Sequence, residues 1–346
     1  MIATSEINHP LLQQGYVWRS VTPDDFAALA TLSNLNNHAS GLTSVTTVEE
    51  IEEEFSDSDF DIASSSRVMA APDGSIILLA TLSDFMQPPV RVFADMYAHP
   101  EHADLALRLE AHKWAENRAK EAIVRCPEEA RVVMHSFCIG GYRPDEAALE
   151  TYGYKHIRNF YKMLAEFEDA PPAVTFPEGY SVRNFNFEAD LDLYVATRQD
   201  AWRDHYGYIA QPDEALRIRM REWRENDPLF DESLMFLVVH NDTNEVAAFC
   251  FLRQEAYGHP ERGHVQILGT RRAHRGKGIA SAMLQHSFYS LWKRGQKQVD
   301  LEVDGDSLTG AVGLYQRLGM QIDYLEAIYE LELRSGVNMM TTALES

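Results

Sequence analysis

The residues best suited to chemistry lie in one short loop, residues 269–281, which reads GTRRAHRGKGIAS. Its glycines Gly276 and Gly278 allow the backbone to approach a ligand closely. Its basic side chains are Arg271, Arg272, Arg275 and Lys277. A loop of this kind at the start of a helix presents free backbone N–H groups where the helix dipole favours anions. The pattern therefore predicts a binding site for a pyrophosphate.

The elements on either side must position this loop. Alternating apolar residues predict a strand over 264–268, and apolar residues at helical spacing predict a helix from Ala282 onwards. Two known glycine loops do not fit. A P-loop would need Ser or Thr after Lys277, and a dinucleotide fingerprint would need a third glycine where Ser281 stands. What remains is the pattern R-x-x-G-x-A, which runs from Arg275 to Ala280.

A second motif follows at a fitting distance. The run 298–303 predicts another strand, and the residues after it predict a helix that carries Tyr315 shortly before the pair Gly319-Met320. Asp306 or Ser307 has the side chain to cap that helix.

Together the two motifs resemble the GNAT family of N-acetyltransferases. The resemblance implies an α/β fold with a mixed sheet, acetyl-CoA as the donor substrate, and Tyr315 as the acid that protonates the departing CoA thiolate. It also implies the residues that bind acetyl-CoA. Those for the pantetheine arm and acetyl carbonyl are Leu268, Gly269 and Thr270. Those for the pyrophosphate are Arg275, Gly276, Lys277, Gly278, Ile279 and Ala280. Ser307 would add a contact where many relatives have Asn.

A primary amine must lose a proton before or during its attack, so a base or a water path is needed. Some histone acetyltransferases of this superfamily carry a glutamate on the strand that leads into the loop. By spacing His264 occupies that place, with Gln266 on the same face, and an imidazole titrates near neutrality. The alternative is a strand-end histidine that only touches solvent. Glu255 and Glu302 are weaker candidates for the base.

The segment 202–208, WRDHYGY, lies between two predicted helices of the second half of the chain. GNAT substrates often contact the protein there, so its aromatic residues and histidine are candidates for a pocket wall. A packing corner between a helix and a loop has the same composition.

The order of strands and helices is repeated along the chain, at an offset of about 165–172 residues, which indicates a duplicated domain. We expect an N-terminal GNAT domain at 1–168 and a linker at 169–179, where three prolines and a glycine cluster. A C-terminal GNAT domain that binds acetyl-CoA would follow at 180–334. Residues 335–346 would form a loose tail.

The two copies differ at the loop. The first copy reads AHPEHADLALR over 98–108, which puts Asp104 and Ala106 where the second copy has glycines. A carboxylate repels pyrophosphate, and the added side chains block close approach of the backbone. Leu149 takes the place of Tyr315. We therefore expect a degenerate first domain with a structural or substrate-shaping role, as in tandem GNAT proteins, of which mycothiol synthase is the best-known type.

The composition of the chain limits the classes of molecule that it is expected to bind. The 346 residues are 45% hydrophobic, carry a formal net charge of −22 and include three cysteines without metal-ligand spacing. This charge argues against nucleic acid and anionic membranes as partners. No secretory leader or membrane span is apparent in the sequence. We expect a cytoplasmic monomer or homodimer without a metal.

The interpretation favoured by the sequence is an acetyl-CoA-dependent N-acetyltransferase for a small-molecule amine, with the second domain active. Transfer of another acyl group remains open because the loop does not contact the acyl group. An acyltransferase of the mycothiol-synthase type also remains open, although no residue identifies its thiol–sugar substrate. A different class is a CoA-binding sensor or scaffold without turnover. Tyr315 weighs against that class, since a pure binder needs no acid for the thiolate.

Overall fold

The computed structural model describes residues 7–56, 60–307 and 310–342. The chain forms two compact units. Unit 1 ends its main segment at Asn159 and adds Glu326–Met339, and unit 2 comprises Phe160–Leu325 and the residues from Met340 onwards. Each unit is an α/β structure with a mixed sheet, which confirms the predicted fold class.

The two halves of the chain have the same order of strands and helices, except for one additional short helix, Ile62–Ser65, in the first. The helices are α1 (Phe26–Ala39), α2 (Val48–Phe55), α3 (Ile62–Ser65), α4 (Leu105–Ile123), α5 (Arg143–Tyr152), α6 (Phe187–Trp202), α7 (Asp213–Asn226), α8 (Ile279–Trp292) and α9 (Ala311–Arg317). The strands are β1 (Val17–Arg19), β2 (Ser66–Ala70), β3 (Ile76–Ser83), β4 (Arg91–Ala98), β5 (Val132–Ile139), β6 (Lys155–Glu166), β7 (Tyr180–Asn184), β8 (Met235–His240), β9 (Val246–Arg253), β10 (Arg262–Thr270), β11 (Gln298–Asp304) and β12 (Gln321–Arg334).

The two units have the same sheet topology. The strand order of unit 1 is β1-β2-β3-β4-β5-β12, and that of unit 2 is β7-β8-β9-β10-β11-β6. The described pairs within each unit are antiparallel except for one: β4 with β5 in unit 1, and β10 with β11 in unit 2. The duplication predicted from the order of elements is therefore present in the sheets.

The last strand of each order comes from a distant part of the sequence. Unit 1 takes Glu326–Arg334 of β12, which pairs with β5, and unit 2 takes Phe160–Glu166 of β6, which pairs with β11. In sequence, β6 is the last strand of the first copy of the duplicated domain and β12 is the last strand of the second. Their apolar patterns do not indicate which of the two sheets each strand joins. The predicted boundaries at 1–168 and 180–334 stay a prediction about the duplicated sequence.

The linker and the tail are both ordered by contacts. Phe176 of the linker packs against the core of unit 2, with its ring 6.0 Å from that of His286. The prediction of a loose tail is wrong for the described residues around Val337 and Thr341. The Val337 N–H donates to the carbonyl of Glu129 (2.7 Å), and the Thr341 N–H donates to that of Tyr208 (3.0 Å). Residues 343–346 lie outside the described part of the chain.

The sheet of unit 2 is buried on both faces. Phe249 and Phe251 of β9 belong to the core beneath α6 and α7, whereas Cys250 and Leu252 belong to the core beneath α8. This alternation places the two cores on opposite faces of the strand. Because both faces are covered, β9 reads as a continuous hydrophobic run. None of the described helices is long and apolar enough to cross a membrane.

Candidate functional site

Strand β10 has an open edge near its C-terminal end. It pairs with β9 as far as Thr270, but its parallel pairing with β11 covers only Arg262–His264. Beyond His264 alternate backbone N–H and C=O groups of β10 face the edge where β11 has separated. The register with β9 shifts between Val265 and Ile267, as a β-bulge does. This edge can therefore bind the amide groups of an extended ligand.

Gly269 is required on this strand by close packing. A Cβ atom at this position would lie 2.7 Å from the Trp202 ring and 2.8 Å from the Phe249 ring. Any side chain there would push α6, which ends at Trp202, away from the strand. The glycine thus lets the end of α6 lie directly against the part of β10 that has the open edge.

Helix α8 begins with uncapped N–H groups. Its N-cap residue is Gly278, in the left-handed conformation (φ 80°), and no side chain caps the helix. The backbone N–H of Ala282 donates the first intrahelical hydrogen bond of α8, to the carbonyl of Gly278 (3.0 Å). The preceding N–H groups, of Ile279, Ala280 and Ser281, have no intrahelical acceptor. Together with the helix dipole they form a site for a phosphate.

The loop arginines bind a buried carboxylate. Asp204, whose side chain is 1% exposed, accepts hydrogen bonds from the guanidinium groups of Arg272 and Arg275. Arg275 also donates to the carbonyls of Ala201 (2.9 Å) and Thr270 (3.2 Å). The hydrogen bond from Arg272, followed by that from Arg275, lowers the pKa of Asp204 despite the opposing effect of burial. Arg275 therefore fixes the loop against the end of α6.

The other two loop cations also have partners. The Arg271 guanidinium lies 2.6 Å from a carboxylate oxygen of Glu245, and the Lys277 ammonium donates to the Tyr180 hydroxyl (3.0 Å). The four loop cations are thus all engaged, and the loop can bind a phosphate through its backbone N–H groups without breaking these interactions.

Tyr315 lies on α9 and is 9% exposed. Burial, with a smaller contribution from Cys250, raises the pKa of its phenol, so the hydroxyl is protonated at neutral pH. Helix α9 begins at a left-handed Gly310 without a side-chain cap, so the prediction that Asp306 or Ser307 caps it is wrong. Ser307 instead accepts a bond from the Gly310 N–H through its backbone carbonyl (3.1 Å).

One cavity of about 340 Å³ joins these features. The predicted site residues that line it are Leu268, Gly269, Thr270, Arg275, Gly276, Gly278, Ile279, Ala280 and Tyr315. Lys277, Ser307 and His264 are not among its lining residues.

His264 is a buried residue with a buried partner. Its Nδ1 lies 2.6 Å from Oδ1 of Asp300, which is fully buried, and Oδ2 of Asp300 lies 3.5 Å from the Lys162 ammonium. Burial alone would raise the pKa of Asp300, but the hydrogen bond with His264 and the charge of Lys162 outweigh it, and the pKa is lowered. The alternative of a strand-end histidine that only touches solvent is therefore wrong.

Sequence reasoning placed His205 only within a candidate pocket wall, and it left Asp204 out of the site. His205 lines the cavity, and its ring stacks on that of Trp202 with centroids 4.6 Å apart and planes 5° apart. The available signal was the position of WRDHYGY at the C-terminal end of α6. The structure brings this end of the helix to the loop before α8.

Unit 1 differs at the equivalent positions. Helix α4 is capped by Asp104, whose carboxylate accepts a bond from the Leu107 N–H (2.8 Å). Leu149 matches Tyr315 in its backbone: the N–H five residues further on donates to its carbonyl in both cases (3.0 and 3.1 Å). The first copy thus has a carboxylate at the start of its helix and a buried leucine in place of the phenol.

Within residues 7–56, 60–307 and 310–342, no group of three or more His, Cys, Asp or Glu side chains is arranged to hold a metal ion.

The fold and this site define the class of protein. Residues 194–320 match the model of the acetyltransferase (GNAT) family, so this part of the chain, which lies in unit 2, is a GNAT acetyltransferase domain. This family uses acetyl-CoA as its acetyl donor. The match lies within the half of the chain that contains the cavity.

Relatives and solved structures agree with this assignment. The chain is 29% identical over 195 residues to a mycothiol acetyltransferase of Catenulispora acidiphila, a match that covers 55% of this chain and 60% of that protein. It is 26% identical over 242 residues to a mycothiol acetyltransferase of Thermomonospora curvata, with coverage of 68% and 77%. The matches to the first three such relatives span 57% to 60% of their lengths.

Among solved structures, a GCN5-related N-acetyltransferase from Sphaerobacter thermophilus is similar over 93% of this chain and 97% of its own, with a TM-score of 0.80 and 26% identity. A tandem GNAT protein from the clavulanic acid biosynthesis pathway is similar over 93% of this chain and 100% of its own, with a TM-score of 0.64. Its 12% identity supports the fold alone.

Proposed function

We propose that the chain transfers an acetyl group from acetyl-CoA to the primary amine of a small molecule, by direct attack in the cavity of unit 2. The observation that carries this proposal is the convergence of three features in one cavity. These are the open edge of β10, the uncapped start of α8 and the protonated phenol of Tyr315.

Each feature suits one part of the donor. The open edge at Leu268–Thr270 would bind the pantetheine amides and the acetyl carbonyl. The N–H groups that follow Gly278 would bind the pyrophosphate, and Gly276, at φ 74°, leaves space for its close approach. Lys277 and Ser307 stay predicted contacts.

Tyr315 would act as the general acid. When the amine attacks the acetyl carbon and the C–S bond breaks, the CoA thiolate needs a proton. The Tyr315 hydroxyl is protonated at neutral pH and lines the cavity, and it makes no hydrogen bond with other described residues. A phenol of this kind is suited to donate to the sulfur.

We infer that unit 1 does not bind acetyl-CoA and has a structural or substrate-shaping role. The Asp104 carboxylate already occupies the start of α4, and its charge would repel a pyrophosphate. This inference rests on the contrast with Gly278, which leaves the corresponding helix start free of a side chain.

Two other functions deserve a direct test. Mycothiol acetyltransferase activity is favoured by the names of several relatives. A CoA-binding sensor without turnover is the candidate from another class. We further expect the protein to be cytoplasmic, to act as a monomer or homodimer, and to bind neither nucleic acid nor membranes.

The test combines binding with turnover. Calorimetry with acetyl-CoA measures the affinity and the number of sites, and mass spectrometry detects N-acetylated products from a panel of amines. Binding with product formation supports the transferase. Binding without any product, across a panel that includes the acceptor used by mycothiol acetyltransferases, would favour the sensor.

A further inference from the structure

The cavity of unit 2 contains an imidazole to which the motifs assigned no role, that of His205. The residue follows α6, and its backbone N–H donates to the Trp202 carbonyl (2.8 Å) while its ring stacks on the Trp202 ring. These contacts fix the ring in the cavity that also contains Tyr315 and the open edge of β10.

Both ring nitrogens of His205 are available, whereas two other histidines of the unit each have their Nδ1 atom engaged in a hydrogen bond. The Nδ1 atom of His264 bonds to Asp300 (2.6 Å), and that of His274 to the Tyr180 hydroxyl (2.9 Å). Within the described part of the chain, neither ring nitrogen of His205 has a hydrogen-bond partner. Neither is sealed from solvent, unlike Nε2 of His274. The ring can therefore bond to a molecule in the cavity.

The surroundings of His205 favour its neutral form. Burial is the main cause that lowers its pKa, and the charges of Arg275, in the loop before α8, and Arg198, on α6, act in the same direction. Asp304, at the end of β11, and the neighbouring Asp204 oppose them without reversing the shift. At neutral pH the ring is thus uncharged and can accept a proton.

We propose that His205 is the group that accepts the proton of the acceptor amine during acetyl transfer. This inference rests on the proposed function and names the base of the same site. His264 fits the role less well, because it is not among the residues that line the cavity and its Nδ1 is already bonded to Asp300.

The acceptor amine starts as an ammonium and loses two protons during acetyl transfer. The ammonium gives one proton to a ring nitrogen of His205, and the free amine attacks the acetyl carbon. The nitrogen then loses a second proton as the C–S bond breaks. Tyr315 gives its proton to the thiolate and is reprotonated from that second proton. The proton on His205 passes to solvent, so that the products are the amide, CoA and one released proton.

The experiment compares histidine variants of the full chain with acetyl-CoA and four probe amines: glucosamine, tyramine, spermidine and lysine methyl ester. The amine that the wild type acetylates fastest is used for pH profiles of kcat/KM. His205→Phe keeps a flat ring on Trp202 and removes both nitrogens. His205→Ala leaves space for added imidazole. His286→Gln is the matched control, because burial also lowers the pKa of His286 and it is not among the cavity-lining residues.

We expect kcat/KM of His205→Phe to fall by about 10²-fold, while acetyl-CoA affinity stays at the wild-type value. The wild-type rate should rise with pH through the pKa of His205, on the acid side of about 6.5, the ordinary value for histidine. This rise of the rate with pH should be lost in His205→Phe. Added imidazole should restore part of the rate of His205→Ala, and His286→Gln should have the wild-type rate and pH profile.

A wild-type pH profile of kcat/KM in His205→Phe would overturn the proposal. If the rise of kcat/KM with pH is lost in His264→Gln instead, His264 is the base. If both variants keep this rise, a water path removes the proton. A wild type that binds acetyl-CoA but acetylates no amine, including the acceptor used by mycothiol acetyltransferases, contradicts the proposed function itself, and the role of His205 falls with it.

Discussion

The Asp204 carboxylate and the Arg275 guanidinium are ion-paired although 71 residues of sequence separate them. The pair fixes the loop before α8 against the end of α6. The same loop supplies the backbone groups that would bind a pyrophosphate, so its conformation depends on a carboxylate that would not touch the ligand.

Replacing this carboxylate should weaken the binding of acetyl-CoA. Asp204→Asn removes the charge shared by Arg272 and Arg275 while it keeps the size of the side chain. Hydrogen bonds to charged groups contribute about 1.5–3 kcal/mol, so we expect the Kd for acetyl-CoA to rise at least about 10-fold, as measured by calorimetry. The control is Asp190→Asn, which breaks the ion pair of Asp190 with Arg183 (2.6 Å) on β7 of the same unit. Equal losses of acetyl-CoA affinity in both variants would show that the loss follows from a lower stability of unit 2 and not from the conformation of the loop.

The start of α8 should be the single site for acetyl-CoA. Gly278→Asp adds a carboxylate where the phosphates would bind, at a left-handed position that disfavours side chains. We expect no measurable binding in this variant and one site per chain in the wild type. Asp104→Ala should cost about 1 kcal/mol of stability, as the loss of an N-cap does, and should leave the single site unchanged. Two equivalent sites in the wild type would contradict the account of unit 1.

Asp300 should stabilise unit 2 in a pH-dependent way. Its pKa is lowered in the folded chain, so its contribution is present above the unfolded pKa, about 3.9, and is lost as the pH falls through the folded value. We expect Asp300→Asn to lower the free energy of unfolding by about 1.5–3 kcal/mol at pH 7. Denaturant titrations should show this difference shrinking below about pH 4.

The matched control for Asp300 is Glu302→Gln. Glu302 contacts the same Lys162 (3.3 Å), but its side chain is 57% exposed. An exposed pair contributes about 0–1 kcal/mol, so this variant should stay close to the wild type. If the decrease in the free energy of unfolding caused by Asp300→Asn is the same at pH 7 and pH 3, the pH-dependent stabilisation assigned to Asp300 is wrong.

The sequence predicted the strand, loop and helix of the site well because their signals are local. The alternation in β10, the two glycines and the apolar spacing of α8 each act over a few residues. The resemblance to the GNAT family, which these motifs carry, implied Tyr315 and the backbone of Leu268–Thr270 as site residues, and all of them line the cavity. These parts of the site depend on short-range geometry.

The remaining features depend on contacts between distant residues. Composition suggested that the loop arginines would face a phosphate, but nothing near Arg275 in the sequence indicates a buried Asp204. Likewise, no local pattern tells whether His205 or His264 lies in the cavity, since both are single histidines outside the R-x-x-G-x-A motif. The membership of β12 in unit 1 follows from pairing with β5, which periodicity does not specify.

The most direct test of the proposed transferase is the single-turnover rate of Tyr315→Phe. The substitution keeps the ring, which belongs to the same hydrophobic core as Cys250, and removes only the hydroxyl. Rapid mixing of excess enzyme and acetyl-CoA with a saturating amine measures the chemical step before product release. We expect a rate about 10²–10⁴-fold below that of the wild type, with unchanged affinity for acetyl-CoA. A wild-type rate across the pH range would show that Tyr315 only packs in the core and would contradict the account.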